Sequence, residues 1–167
     1  MKQVINSTVL SNFAAVARLD VLHDTTGQLY LPTDVYDEVI DGQLAGYAFY
    51  DGIEQHVSPL SEQGWLHLVT LTDDELRLMS DLPEQLHRGE AACLCIARQR
   101  GWGFLSDDRA ARRQAEKWHI PTSGTIGVLV AAIRADRLAL TEANKLLHSM
   151  IATANYRTPL TDLSLLV

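Results

Sequence analysis

Short apolar runs alternate with amphipathic stretches along this chain, and that alternation sets the expected elements. The run KQVI (2–5) has β-like character. NSTVLSNFAAVARLDVL (6–22) follows as a tight turn and a helix, because Leu10, Phe13, Ala14 and Ala17 recur at helical spacing. Gln28 to Leu31 form a second short strand ended by Pro32, and Thr33 or Asp34 can cap a helix through VYDEVIDGQLAGYAF (35–49). Gly, Pro and Ser punctuate residues 51–65, which read as a loop, and the alternating LHLVTL (66–71) reads as a third strand. TDDE at 72–75 is a helix-capping signature.

Beyond Pro83, GEAACLCIARQRG (89–101) traces a helix with an apolar face through Ala91, Leu94 and Cys95 and a basic end, stopped by Gly101 and Gly103. GFLS (103–106) reads as a buried strand, DDRAARRQAEKW (107–118) as a helix starting on an acidic cap, and HIPTS (119–123) as a last short strand or extended turn. Two more helices follow over 124–138 and 141–154. Strands alternating with helices of about 10 to 15 residues predict an α/β fold with parallel strands, right-handed crossovers and helices on both faces of one sheet. No repeat or linker divides the chain, so one domain over residues 1–167 is expected.

Composition narrows the classes. With 47% hydrophobic and 21% charged residues, the 167-residue chain is neither disordered nor fibrous, and it can build one core. No apolar run reaches the roughly 18 residues of a membrane span. MKQVINSTVL also lacks the parts of a signal peptide, so no membrane association and a cytoplasmic location are expected. Cys93 and Cys95 lie two apart in an apolar stretch and read as small core residues. The net charge of −7 argues against nucleic-acid binding by bulk charge. Six of the 14 basic residues fall between 98 and 117, however, either as solvated helix faces or as a local positive face.

In a parallel sheet of this kind, sites form beyond the carboxyl ends of the strands, where strand order reverses. Asn6 closes the first strand and Asp107 closes GFLS, so if those strands are neighbours both side chains point into one crevice. Taken singly, each candidate has a structural role available: Asp107 as a helix N-cap with Asp108 beside it, Asn6 as a turn residue, Glu38 on a solvated face, and Glu90 at a helix start favoured by the macrodipole. Together, Asn6, Glu38, Glu90 and Asp107 can supply the oxygen ligands that a hard divalent cation such as Mg²⁺ or Mn²⁺ requires. The six His residues show no HExxH spacing, and no GxSxG elbow, P-loop or GxGxxG is present, so zinc hydrolysis, serine-type catalysis and nucleotide cofactors find no support. An aspartyl-phosphate mechanism would need Asp where Asn6 stands.

The strings VINSTVLSNF with RLDVL, LPTDVYDEV, RGEAACLCIA, FLSDDRAARRQA and TSGTIGVLVAAI occur in this order over roughly residues 3–140. In that set the chain resembles the PIN domain of VapC-like toxins from toxin–antitoxin pairs, and is most similar to an uncharacterised PIN subgroup. The resemblance implies a three-layer α/β/α sandwich around a short parallel central sheet, and an acidic pocket that binds Mg²⁺ or Mn²⁺ and hydrolyses RNA. It implies a pocket of position 6, Glu38, Glu90 and Asp107, with Asp108 beside it and the hydroxyls of Ser7 and Thr8 after the first ligand. In this assignment Glu90 and Asp107 hold the metal, Glu38 positions water or a second metal, and Asn6 is a neutral ligand. Arg109 and Arg112 are assigned to phosphate contacts independently of the family.

Asn6 departs from the family's usual Asp, which removes one negative charge and a proton acceptor. Two functional readings follow: a toxin-type endoribonuclease, or a catalytically silent PIN-fold module that binds RNA or a partner. A third treats the acids as caps and surface only. Toxin kinship also implies a cognate antitoxin protein that fills the groove, and homodimerisation is common in the family.

Overall fold

The computed structural model describes residues 1–167. In chain order the elements are β1 (Gln3–Ile5), α1 (Ser7–Ala15), α2 (Leu19–Thr26), β2 (Leu29–Pro32), α3 (Thr33–Leu44), β3 (Val57–Ser58) and β4 (Leu66–Val69). They continue as α4 (Asp73–Met79), α5 (Arg88–Arg100), β5 (Gly103–Leu105), α6 (Arg109–Lys117), β6 (Thr122–Ser123), α7 (Thr125–Arg134) and α8 (Leu140–Thr153). The strands form one sheet in the order β3-β4-β2-β1-β5-β6, and every pairing is parallel. Helices α3, α4 and α6 each pack against α5, and α1, α2, α7 and α8 form a second group that meets the first where α1 touches α3, which gives the three-layer α/β/α architecture.

Burial explains why the central strands are apolar apart from Gln3 at the start of β1. Val4, Ile5, Phe104 and Leu105 are at most 1% exposed because both faces of β1 and β5 are covered. Each such side chain contributes about 1.5–3 kcal/mol by leaving water. They belong to a cluster of 37 buried residues that reaches Leu163 near the C-terminus. Leu165 and Leu166 remain exposed, so of the terminal leucines Leu163 is the one that packs fully.

Three elements differ from the sequence pattern. Residues 6–22 form two helices, because Ala17 takes a left-handed φ of +55° and the Arg18 N–H closes α1 on Phe13 O at 2.9 Å. The bend lets Val9, Leu10 and Phe13 enter the core from α1 while Val21 and Leu22 enter from α2. Helix α3 stops at Leu44, and a short 3₁₀ turn over Ala48–Tyr50 buries Tyr50. Within 51–65, Val57 and Ser58 pair with Leu66 and His67 as the sheet edge, a strand too short to display a period of two.

The chain lays β2 and then β4 on one side of β1 before crossing to place β5 on the other side. The reversal in strand order therefore lies between β1 and β5, in register Ile5 with Leu105. Asn6 and Ser106 are the residues that leave these two strands, and the Asn6 N–H still reaches Leu105 O at 3.2 Å.

Candidate functional site

Asn6 is 1% exposed and caps α1: its Oδ1 accepts from the Thr8 hydroxyl at 2.6 Å and the Thr8 N–H at 3.2 Å. Its Nδ2 donates to Ser106 Oγ at 2.8 Å, and Ser106 Oγ also accepts from the Asp108 N–H at 3.1 Å. The Asp107 N–H donates to Thr8 Oγ1 at 3.0 Å, completing a polar seam across the mouth of the sheet. Asn6 thus takes the turn role that its residue type favours, and its carbonyl oxygen already serves two donors.

Asp107 and Asp108 divide their work. Asp108 is the N-cap of α6, accepting from the Ala111 N–H at 2.8 Å. Asp107 turns instead to the opposite layer. Its Oδ2 accepts from the Thr125 hydroxyl at 2.6 Å and Asn12 Nδ2 at 3.1 Å, and its Oδ1 from the Thr125 N–H at 3.0 Å and the Tyr156 hydroxyl at 3.4 Å. A Cβ on Gly124 would lie 2.4 Å from Asp107 Oδ1, so glycine is required there for the carboxylate to reach the start of α7. Burial, and then the charge of Asp107, hold the Tyr156 phenol well above its ordinary pKa, so it remains a hydrogen-bond donor.

Glu38 is half-buried rather than on a free solvated face. Its Oε2 accepts from the Ser7 hydroxyl at 2.9 Å and its Oε1 from the Gly89 N–H at 3.2 Å. A Cβ on Gly89 would lie 2.3 Å from Glu38 Oε1, so glycine there leaves room for that carboxylate to reach the Gly89 N–H. Glu90 is 9% exposed, and its Oε2 accepts from the His87 N–H at 3.0 Å. Burial raises the Glu90 pKa, and the charges of Asp108 and Glu38 push it in the same direction, while the His87 N–H opposes them.

Glu38, Glu90, Asp107 and Asp108 therefore gather at the carboxyl edge of the sheet, and none is paired with a cation. The ion pairs lie elsewhere: Arg18 with Asp20 and Glu142, Arg77 with Asp74, Arg88 with Asp34, and Arg100 with Glu75. The donor set is all oxygen and anionic, which suits a hard divalent cation. Its arrangement is less complete, because no three His, Cys, Asp or Glu side chains stand close enough to hold one ion. Cys93 and Cys95 are buried, with both thiols pushed up by that burial (Cys95 to about 12), so neither is an activated nucleophile.

Arg109 is exposed, and Arg112 is tied by one nitrogen to Ser106 O at 2.8 Å. Both line a cavity of about 410 Å³ on the far side of Asp107. A cleft of about 570 Å³ is walled by Thr8, Asn12, Asp107, Asp108, Arg109 and Tyr156 among others. Asn12, Ser106, Thr125 and Tyr156 escaped the reading of the sequence. For Asn12 a signal existed, since it interrupts the buried face of α1 between Val9 and Phe13. Tyr156 lies beyond the last helix and carried none.

No curated protein matches the chain. A family model described as a PIN domain matches residues 2–163, nearly its whole length. That match agrees with a parallel sheet whose strand reversal is lined by acids, and the chain belongs to the PIN domain family.

Proposed function

We propose that this chain is a metal-dependent endoribonuclease of the toxin–antitoxin type that hydrolyses RNA phosphodiesters in the cytoplasm. PIN domains are a nuclease-type fold, generally dependent on divalent metals. The observation that carries the proposal is the set of four carboxylates at the strand reversal, Glu38, Glu90, Asp107 and Asp108, left without any salt-bridge partner. Partly buried negative charges that are hydrogen-bonded but lack a cation still repel one another, and a bound cation removes that cost.

In this reading Asp107 and Glu90 hold Mg²⁺ or Mn²⁺, Glu38 positions water or a second ion, and Asn6 offers a neutral carbonyl oxygen. The ion, when bound, supplies a lowered pKa for water and stabilises charge on the phosphate. The chain's own residues orient these groups. Thr125 and Asn12 fix the Asp107 carboxylate, the Ser7 hydroxyl and Gly89 N–H fix that of Glu38, and Arg109 and Arg112 meet phosphates. A carboxylate of this set accepts the proton of the attacking water. A small antitoxin with an arginine for the acids is the expected protein partner, and a homodimer is the expected assembly.

Two observations favour the second reading, a silent RNA- or partner-binding module: Asn6 replaces an acid, and no three acids converge on one point. The test is cleavage of a mixed tRNA and rRNA pool with Mn²⁺ or Mg²⁺ by the protein, Asn6→Asp and Asp107→Asn, each checked for folding by circular dichroism. Cutting by the unaltered protein and loss in folded Asp107→Asn support the nuclease. Cutting by Asn6→Asp alone means an intact but disabled site. No cutting by either of those two proteins leaves the binding module.

A further inference from the structure

Resting on the nuclease reading, we propose that the site continues into a track for one unpaired nucleic-acid strand, with a base-stacking subsite at Tyr47 and Phe49 and a phosphate subsite between Arg109, Arg112 and Arg157. Three cavities lie end to end. The first, about 420 Å³, holds Glu38 and the two aromatic rings in its wall. It shares Ser11, Ala154 and Asn155 with the cleft over Asp107 and Asp108, and that cleft shares Asp107, Arg109, Tyr156 and Arg157 with the third. The trough is thus aromatic at one end, acidic in the middle and cationic at the other end.

The aromatic end is built to present faces to solvent. Tyr47 is 57% and Phe49 36% exposed, with ring centroids 5.6 Å apart and planes 28° apart. Buried Tyr50 supports Phe49 from below at 4.6 Å, and Gln43 Nε2 pins the Tyr50 carbonyl at 2.7 Å. Gly42 keeps the rings against α3, since a Cβ there would lie 3.1 Å from Tyr50 and 3.3 Å from Tyr47. Exposed, supported rings beside a polar cleft offer a π-face that an unpaired base covers and a paired base cannot.

At the opposite end, three guanidinium groups line one cavity on a chain of net charge −7, and none of the three is in a salt bridge. Arg112 keeps free donors after its single bond to Ser106 O. Arg157 follows Tyr156, the residue on the segment after α8 that reaches Asp107, and lines the same cavity as Asp107 without pairing with it. A forked guanidinium suits a phosphodiester oxygen pair. The strand therefore enters base-first on the Glu38 side and leaves with a phosphate held past Asp107.

The test is fluorescence anisotropy in EDTA, where no divalent-dependent cut occurs, with a labelled 12-nucleotide RNA of mixed sequence, the same sequence as DNA, and the RNA annealed to its complement. The proteins are the unaltered chain, Tyr47→Ala with Phe49→Ala, and Arg109→Gln with Arg157→Gln; all four side chains are exposed, so folding is retained. The aromatic pair should weaken single-strand binding about tenfold without changing its salt dependence. The arginine pair should lower the slope of log K against log salt by about 0.7 for each phosphate no longer neutralised. RNA and DNA single strands should both outcompete the duplex, and their ratio reports any role of the 2′-hydroxyl. Unchanged affinity in the aromatic pair, or an unchanged slope in the arginine pair, overturns the corresponding subsite. A protein that cuts RNA with Mn²⁺ yet shows neither effect overturns the track and keeps the nuclease; one that shows both effects and never cuts keeps the track and overturns the nuclease.

Discussion

Asn6 donates from Nδ2 to Ser106 Oγ at 2.8 Å, and this bond ties together the ends of the two strands between which the sheet order reverses. It is a bond that the family's usual Asp could not make in the same sense, since a carboxylate only accepts. Ser106 Oγ accepts from both Asn6 and the Asp108 N–H, leaving its own proton free to turn toward an acid.

Asn6→Asp should therefore fold, keeping the two bonds from Thr8 and gaining one from Ser106. It places a carboxylate at a position 1% exposed and beside Asp107, so a stability loss of about 1–3 kcal/mol is expected at neutral pH. Millimolar Mn²⁺ or Mg²⁺ should return part of it. Thermal denaturation with and without the ion checks both, and a variant equally stable and insensitive to the ion contradicts the placement.

Thr125→Val tests how Asp107 is held. The change keeps the shape of a side chain that is fully buried and removes the 2.6 Å donation to Asp107 Oδ2 together with the acceptor of the 3.0 Å bond from Asn12 Nδ2. A hydrogen bond to a charged group is worth about 1.5–3 kcal/mol. The expected loss lies in that range, and in a double-mutant cycle with Asp107→Asn it should shrink. Denaturant titrations measure it.

Gly89→Ala separates activity from stability. The new methyl would meet Glu38 Oε1 at 2.3 Å, which displaces the carboxylate and breaks its bond to the Gly89 N–H. Since Glu38 Oε1 ends a flexible side chain and alanine in place of a helical glycine gains up to about 1 kcal/mol, net stability should change little. RNA cleavage should fall, and equal cleavage would remove Glu38 from the site.

Two acids should respond to pH in opposite directions. The Glu90 carboxyl is raised by burial and by the charges of Asp108 and Glu38, so its contribution to stability is present below the ordinary carboxylate pKa and is lost as pH rises through the raised value. Glu75 is lowered, chiefly by its bonds with Arg100 at 2.7 and 2.8 Å, so its contribution is present above the ordinary value and is lost as pH falls through the lowered one. Glu90→Gln should therefore stabilise at pH 7 and become neutral near pH 4, whereas Glu75→Gln should destabilise at pH 7 and cost less in acid. Melting temperatures across that range distinguish them.

Local spacing carried most of the elements. The alternation of short apolar runs with amphipathic stretches marked β1, β2, β4, β5 and β6 and their helices. The Thr72–Glu75 capping box and the acidic cap of α6 were legible because their partners lie three residues away. The cap itself moved by one residue: Asp107 was the expected N-cap, but Asp108 caps, because Asp107 has turned to Thr125. The break at Ala17 and the edge strand β3 were not legible, because the break rests on a left-handed residue that is not glycine and a two-residue strand is too short to show a period.

The sequence by itself determined a parallel α/β chain with Asn6 at a strand end, Asp107 near one, two residues beyond Leu105, and Glu38 and Glu90 on helices, since those placements follow from periods of two and 3.6 residues and from capping chemistry. The tertiary structure alone decided that β5 lies beside β1, that Asp107 answers to Asn12, Thr125 and Tyr156 over separations of 95, 18 and 49 residues, and that Tyr47 and Arg157 stand at opposite ends of one trough. The reason is that strand order and long-range partners are set by how two helical layers bury a shared core, which no local pattern encodes.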